Sequence, residues 1–129
     1  MFFYAPPAAA EPGLTWVNRG DVVDPDFIFT DLTLDVAWYD LDFSGIVPEG
    51  ATFMQLEVEI QSDTAAWLFQ VKEKGYVSGA VTHKMHVNVA NRYYSHRFWI
   101  GVNAGRLIEY KGTAGGWTRI NITVVAWAL

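Results

Sequence analysis

Within residues 52–61, Thr-Phe-Met-Gln-Leu-Glu-Val-Glu-Ile-Gln, apolar and polar side chains alternate without a break from Met54 onward. Met54, Leu56, Val58 and Ile60 fall on one side, and Gln55, Glu57, Glu59 and Gln61 on the other. A period of two describes a pleated strand with one buried and one wet face, and it excludes an amphipathic helix. The run 117–127 alternates in the same way. Ile120, Ile122, Val124 and Ala126 are expected to face inward, and Trp117, Arg119, Asn121, Thr123, Val125 and Trp127 outward. Two tryptophans on a nominally wet face imply that something covers it, so Trp117 and Trp127 are candidate interface residues.

The rest of the chain from Leu14 follows the same logic in shorter pieces. Further strands are expected over 14–17, 27–34, 37–43, 67–72, 81–89, 97–102 and 106–111, each rich in Val, Ile, Thr or aromatic residues. Turn residues separate them. Val47-Pro48-Glu49-Gly50 fits a type I or II turn, while Glu73-Lys74-Gly75 and Asn103-Ala104-Gly105 fit tight hairpins closed by glycine. Helical periodicity is nowhere sustained. The expectation is an all-β domain over residues 14–129, an antiparallel β-sandwich or jelly-roll-like arrangement of about eight strands. Residues 1–13 (MFFYAPPAAAEPG) have three prolines, four alanines and no strand pattern. They read as an extended N-terminal docking arm, with Phe2, Phe3, Tyr4, Pro6 and Pro7 as candidate partner-binding residues.

Composition narrows the functional classes. Six Trp, six Tyr and eight Phe in 129 residues exceed what a domain of this size readily hides, so some rings are expected to meet a partner. Without cysteine there is no disulfide, thiol nucleophile or thiolate metal site. No apolar run is long enough to span a bilayer as a helix, and the first residues lack the basic start of a secretion signal. A net charge of −5 argues against nucleic acid as a partner. The charge is split unevenly: residues 1–63 sum to −11 and residues 64–129 to +6. Two readings fit: strands of the two halves interleave and neutralise each other, or the subunit is dipolar and meets its neighbours acidic face to basic face.

No arrangement of residues spells out catalysis. His83 and His86, three apart on one strand, point to opposite faces and cannot grip one metal together, although His96 could approach one of them across a hairpin. Asp21, Asp24 and Asp26 outline an acidic loop in which calcium is a conceivable ligand, but it lacks the glycine and spacing of an EF-hand. Asp40 and Asp42 share a strand face as solvated acids rather than as a paired acid and base. None of Ser44, Ser62, Ser78 and Ser95 lies in a nucleophile elbow, and Gly112, Gly115 and Gly116 lie between strands, where turns need them. No catalytic, cofactor-binding or metal residue is therefore assigned. The segment 91–97 is the best candidate binding loop: Arg92, Tyr93, Tyr94 and His96 mix rings, cations and hydrogen-bonding groups, which suits a partner protein or a sugar ring.

Three stretches together resemble a known module: 38–51 (WYDLDFSGIVPEGA), 71–75 (VKEKG), and 108–111 (IEYK) running on to 117–127 (WTRINITVVAW). In this order they are similar to a β-rich accessory module of virion proteins in tailed bacteriophages and prophages. The resemblance covers roughly residues 36–127 and leaves out the arm. It implies a non-enzymatic structural virion protein, a capsid decoration (cement) or tail-associated subunit. On that reading it would be made in the bacterial host cytoplasm and carried on the particle surface as a dimer or trimer, in contact with a major capsid or tail protein. A carbohydrate- or receptor-binding module of a phage tail or bacterial surface protein is the alternative.

Overall fold

A computed structural model describes residues 14–78 and 81–129. Among these residues the chain is all-β, with nine strands in two antiparallel sheets packed as a sandwich. The strands are β1 (Trp16–Asn18), β2 (Phe27–Ile28), β3 (Tyr39–Asp42), β4 (Phe53–Ser62) and β5 (Leu68–Glu73). They continue with β6 (His83–His86), β7 (Tyr94–Gly101), β8 (Leu107–Gly112) and β9 (Trp117–Ala128). The first sheet runs β1-β9-β4-β7, with β2 also paired to β9, and the second runs β3-β8-β5-β6. The expected strand over 27–34 is shorter than the sequence suggested. After Ile28 the chain turns through a single 3-10 turn, Phe29–Asp31, where the Asp31 carboxylate accepts the Ile28 N–H at 2.9 Å.

The centre of the fold is the long pairing of β4 with β9. Met54, Leu56, Val58 and Ile60 are fully buried as the alternation requires, and they meet Ile120, Ile122 and Val124 of β9. Phe69 and Val71 of β5, Ile108 and Tyr110 of β8, and Met85 of β6 close the core from the second sheet. Phe69 meets Trp117 edge-on at 6.4 Å between ring centres.

The alternation in β9 fails at both ends, for one reason. The register slips between Gln61 and Ser62, leaving Thr118 as an extra residue, and again between Gln55 and Leu56, leaving Val125 extra. Each slip is a β-bulge, and one extra residue exchanges the two faces of everything beyond it. Trp117 is consequently an inward residue, 7% exposed, with its indole N–H donating to the Thr113 carbonyl at 2.6 Å. Trp127 pairs with fully buried Met54 and packs against the core, whereas Ala126 pairs with Gln55 on the outer side. The expectation that Trp117 and Trp127 form an exposed interface is corrected by this geometry, because both rings pack on the core of the sandwich.

Acidic and basic halves interleave. Lys74 meets Asp40 at 2.7 Å, Arg97 meets Glu57 at 2.5 Å, and Arg119 approaches Glu59 at 3.8 Å, each joining the acidic first half to the basic second. Asp26, one of the calcium candidates, is engaged elsewhere. The Arg19 guanidinium grips it with two bonds, at 2.6 and 2.9 Å, and the same carboxylate accepts the Val124 N–H at 2.8 Å. Arg19 also donates to the Val124 carbonyl at 3.0 Å, and its hydrogen bond to Asp26 raises its own pKa. This clip fastens the segment before β2 to β9. Among the described residues, no cluster of three or more His, Asp or Glu side chains is arranged to hold a metal.

Two stability measurements follow. Trp117→Ala should lower the free energy of unfolding by about 3–5 kcal/mol in a urea titration, while Val77→Ala, at a 95% exposed position, should change it by no more than about 0.5 kcal/mol. Asp26→Ala should cost about 1.5–3 kcal/mol, because it leaves a half-buried guanidinium and the Val124 N–H without their acceptor.

Candidate interaction surface

The outer faces of the two sheets differ sharply. On the second sheet, Trp38 lies beneath Lys72 and Lys111, whose ammonium groups stand 4.3 and 5.0 Å from its ring centre. Glu109 lies 3.6 Å from Lys72 and 3.7 Å from Lys74, which also holds Asp40. That face is charged and self-paired: Lys72 and Glu109 are largely buried, while the Lys74–Asp40 pair is exposed and contributes little to stability.

The outer face of the first sheet is polar along most of its length and apolar at one end. Glu57, Arg97, Glu59 and Arg119 form the polar stretch. At the end, one register row places Trp16 of β1 beside Ala128 of β9, then Phe53 of β4, then Gly101 of β7. Trp99, two pairs further along and on the same face, reaches back to Trp16 with ring centres 4.8 Å apart, edge to face. Trp16 is 59% exposed, Trp99 45% and Phe53 41%, and Leu14 and Leu129 are exposed at the same end. Strand periodicity could have revealed Phe53, which precedes the alternating run in phase with its polar members. Trp16 and Trp99 carried no such signal, because their meeting depends on the order β1-β9-β4-β7.

Around the open side of the sandwich, β6 and β7 are the outermost strands of their sheets and face one another. His83 of β6 stacks on Phe98 of β7 at 3.8 Å and meets His96 edge-on at 6.1 Å. The approach of His96 to a histidine across strands, allowed by the sequence, is thus made to His83. Beside this pair a cleft of about 220 Å³ opens between the sheets, with Val71, Phe98 and Ile100 among the apolar residues lining it, and Glu73, Thr82 and His83 among the polar ones. The Glu73 carboxylate lies against the Gly101 backbone so closely that a Cβ there would sit 2.7 Å from Oε1. Thr82 Oγ1 is buried without a hydrogen-bond partner.

The candidate loop 91–97 is dispersed by the fold rather than gathered into a site. Tyr94 and His96 belong to β7, so the loop is shorter than expected. Tyr94 packs against the core, and its hydroxyl accepts the Val89 N–H at 2.9 Å. Tyr93 is exposed under the Arg119 guanidinium at 4.2 Å, on the other side of the sheet from His96. Arg92 is exposed, with its backbone N–H bonded to the Val89 carbonyl. Phe2, Phe3, Tyr4, Pro6 and Pro7 lie outside the described residues.

No protein-family model matches the chain, and no curated protein matches it. Among solved structures, the coat protein of Tobacco streak virus is similar at 12% identity and a TM-score of 0.45, over 95% of this chain and 89% of that one.

Burial holds both His83 and His96 below the ordinary imidazole pKa of 6.5, and the charge of His96 adds to the effect at His83. The unfolded chain therefore takes up protons before the folded one. Stability contributed by the neutral pair should be complete above pH 6.5 and decline as the pH falls through the two lowered values. Urea midpoints measured on either side of pH 6.5 should show this slope, and His83→Phe, which keeps a ring on Phe98, should flatten it.

Proposed function

We propose that this chain is a non-enzymatic structural subunit of a virus particle, a capsid decoration or cement protein of the tailed-phage type. It works as a homo-oligomer, dimer or trimer, against a major capsid or tail protein on the particle surface, after synthesis in the bacterial host cytoplasm. The observation that carries the reading is the exposed aromatic end of the first sheet, formed by Trp16, Phe53 and Trp99. A contiguous apolar patch on a soluble domain marks a contact surface. It lies where segment 1–13, with Phe2, Phe3 and Tyr4, joins the domain at Leu14. The open edge of β7 adds unpaired backbone groups that association would cover. The virion setting rests on the motif similarity over residues 36–127, and the split into arm and domain on composition.

In this role the subunit acts by adhesion. Buried aromatic area supplies the free energy and polar side chains at the rim set the register. The self-paired outer face of the second sheet is left toward solvent.

Sedimentation equilibrium of the 129-residue chain should show a dimer or trimer at micromolar concentration. Trp16→Ala/Trp99→Ala should shift it toward monomer with an unchanged circular-dichroism spectrum. Mass spectrometry of particles purified from a host carrying the gene should find the protein in them. A chain that stays monomeric and is absent from particles would overturn the reading.

A further inference from the structure

Among the described residues, β1 and β7 end the first sheet, and β3 and β6 end the second. Short strands and charged side chains discourage an edge from pairing with another chain, and most of these edges have both or one. Beyond β9 there are only the three residues of β1 and the two of β2. β3 has four residues, with Asp40 and Asp42 among them, and β6 has four, with Lys84 exposed. β7 differs. It runs for eight residues, Tyr94–Gly101, with no proline and no bulge against β4. Its only Arg, Lys, Asp or Glu side chain is Arg97, which already holds Glu57 of the same copy. Ile100 and Gly101 are buried, with the Glu73 carboxylate against the Gly101 backbone, so the length left open is Tyr94–Trp99.

We infer that two copies of this chain join through this edge, β7 against β7 in antiparallel order about a two-fold axis, so that their first sheets form one continuous sheet. The inference rests on the reading of the chain as a homo-oligomer, and adds which strand joins the copies and in what register. Opposed residues of a pleated pair share a face, so one residue of β7 must stand opposite its own copy. Arg97 in that place sets two guanidinium groups against each other. Phe98 there draws the covered Ile100 and Gly101 into the pairing, and Ser95 there leaves Phe98 and Trp99 beyond the end of the other strand. His96 there uses the open length alone. Burial holds its pKa below the ordinary imidazole value of 6.5, so at neutral pH it meets its own copy uncharged. In this register Tyr94 stands opposite the other copy's Phe98. Tyr93, next to the strand, stands opposite Trp99, and Ser95 opposite Arg97. Each of these pairs forms twice, and aromatic pairs are among the most favourable cross-strand neighbours. Tyr93 and Trp99 are 53% and 45% exposed in the single copy, so both rings are free to meet.

The chain has no cysteine, so introduced thiols report without background. Ser95 and Arg97 are both exposed, and directly opposed residues stand about 4.5–5.5 Å apart at Cα, within disulfide range. Protein carrying Ser95→Cys, mixed with protein carrying Arg97→Cys and oxidised, should give a disulfide-linked heterodimer. Neither should link to itself, because like positions lie about 8 Å apart, too far for a disulfide. Lys84→Cys, on the β6 edge, should link to neither. Tyr93→Ala changes the end of β7 remote from the aromatic patch, yet it should weaken self-association about 10-fold, because two ring pairs are lost. Its urea midpoint should stay close to that of the parent.

The alternative results separate the two proposals. A chain that sediments as an oligomer while the Ser95→Cys and Arg97→Cys mixture stays unlinked overturns the edge pairing and leaves the oligomeric subunit standing. Arg97→Cys linking to itself overturns the register centred on His96. Association unchanged by Tyr93→Ala overturns the ring pairs that select that register. A chain that is monomeric at every concentration overturns both proposals.

Discussion

The pairing of β4 with β9 is the contact on which the rest of the molecule depends. These are the two longest strands and the two central ones of their sheet. Their inner side chains form the floor on which the second sheet packs, and an antiparallel pair of this length fixes register wherever one face is buried. Its two bulges matter as much as its regular part. Thr118 and Val125 each add one residue to β9, and together they turn Trp117 and Trp127 inward. The core thereby gains two large rings at its two ends. Arg19 and Asp26 then fasten the incoming chain to β9 at Val124, between the bulges.

That arrangement leaves the protein with asymmetric surfaces. The second sheet turns a self-neutralised face outward, in which Lys72 and Lys111 cover Trp38 and Lys74 lies between Asp40 and Glu109. The first sheet ends in Trp16, Phe53 and Trp99, with the open β6–β7 side around the corner at Gly101. Both features sit at the same end of the sandwich, as does Leu14, where the described residues begin. A single direction of approach would meet the aromatic end and the free edge together.

Much of the fold was legible because strand periodicity is local. The faces of β4 followed from its composition alone, as did the turn at Gly50, whose φ of +93° only glycine adopts easily. Interleaving of the acidic and basic halves was one of two arrangements the charge split allowed, and the ion pairs realise it. Less of the site could be read. Arg92, Tyr93, Tyr94 and His96 looked like one loop because they are neighbours in the chain, yet a strand sends alternate residues to opposite faces. The residues that do meet, Trp16 with Trp99 and His83 with Phe98, are far apart in sequence and are joined only by strand order.

The sequence by itself determined an all-β fold, its core strands, its turns and its lack of thiol chemistry. These follow from short-range periodicity and from residue types. Tertiary structure alone decided which tryptophans are buried and which are exposed. A bulge is an insertion of one residue relative to a neighbouring strand, so it exists only once that neighbour is in place. The aromatic end and the cleft likewise arise where strands distant in sequence become adjacent, and no local pattern encodes that adjacency.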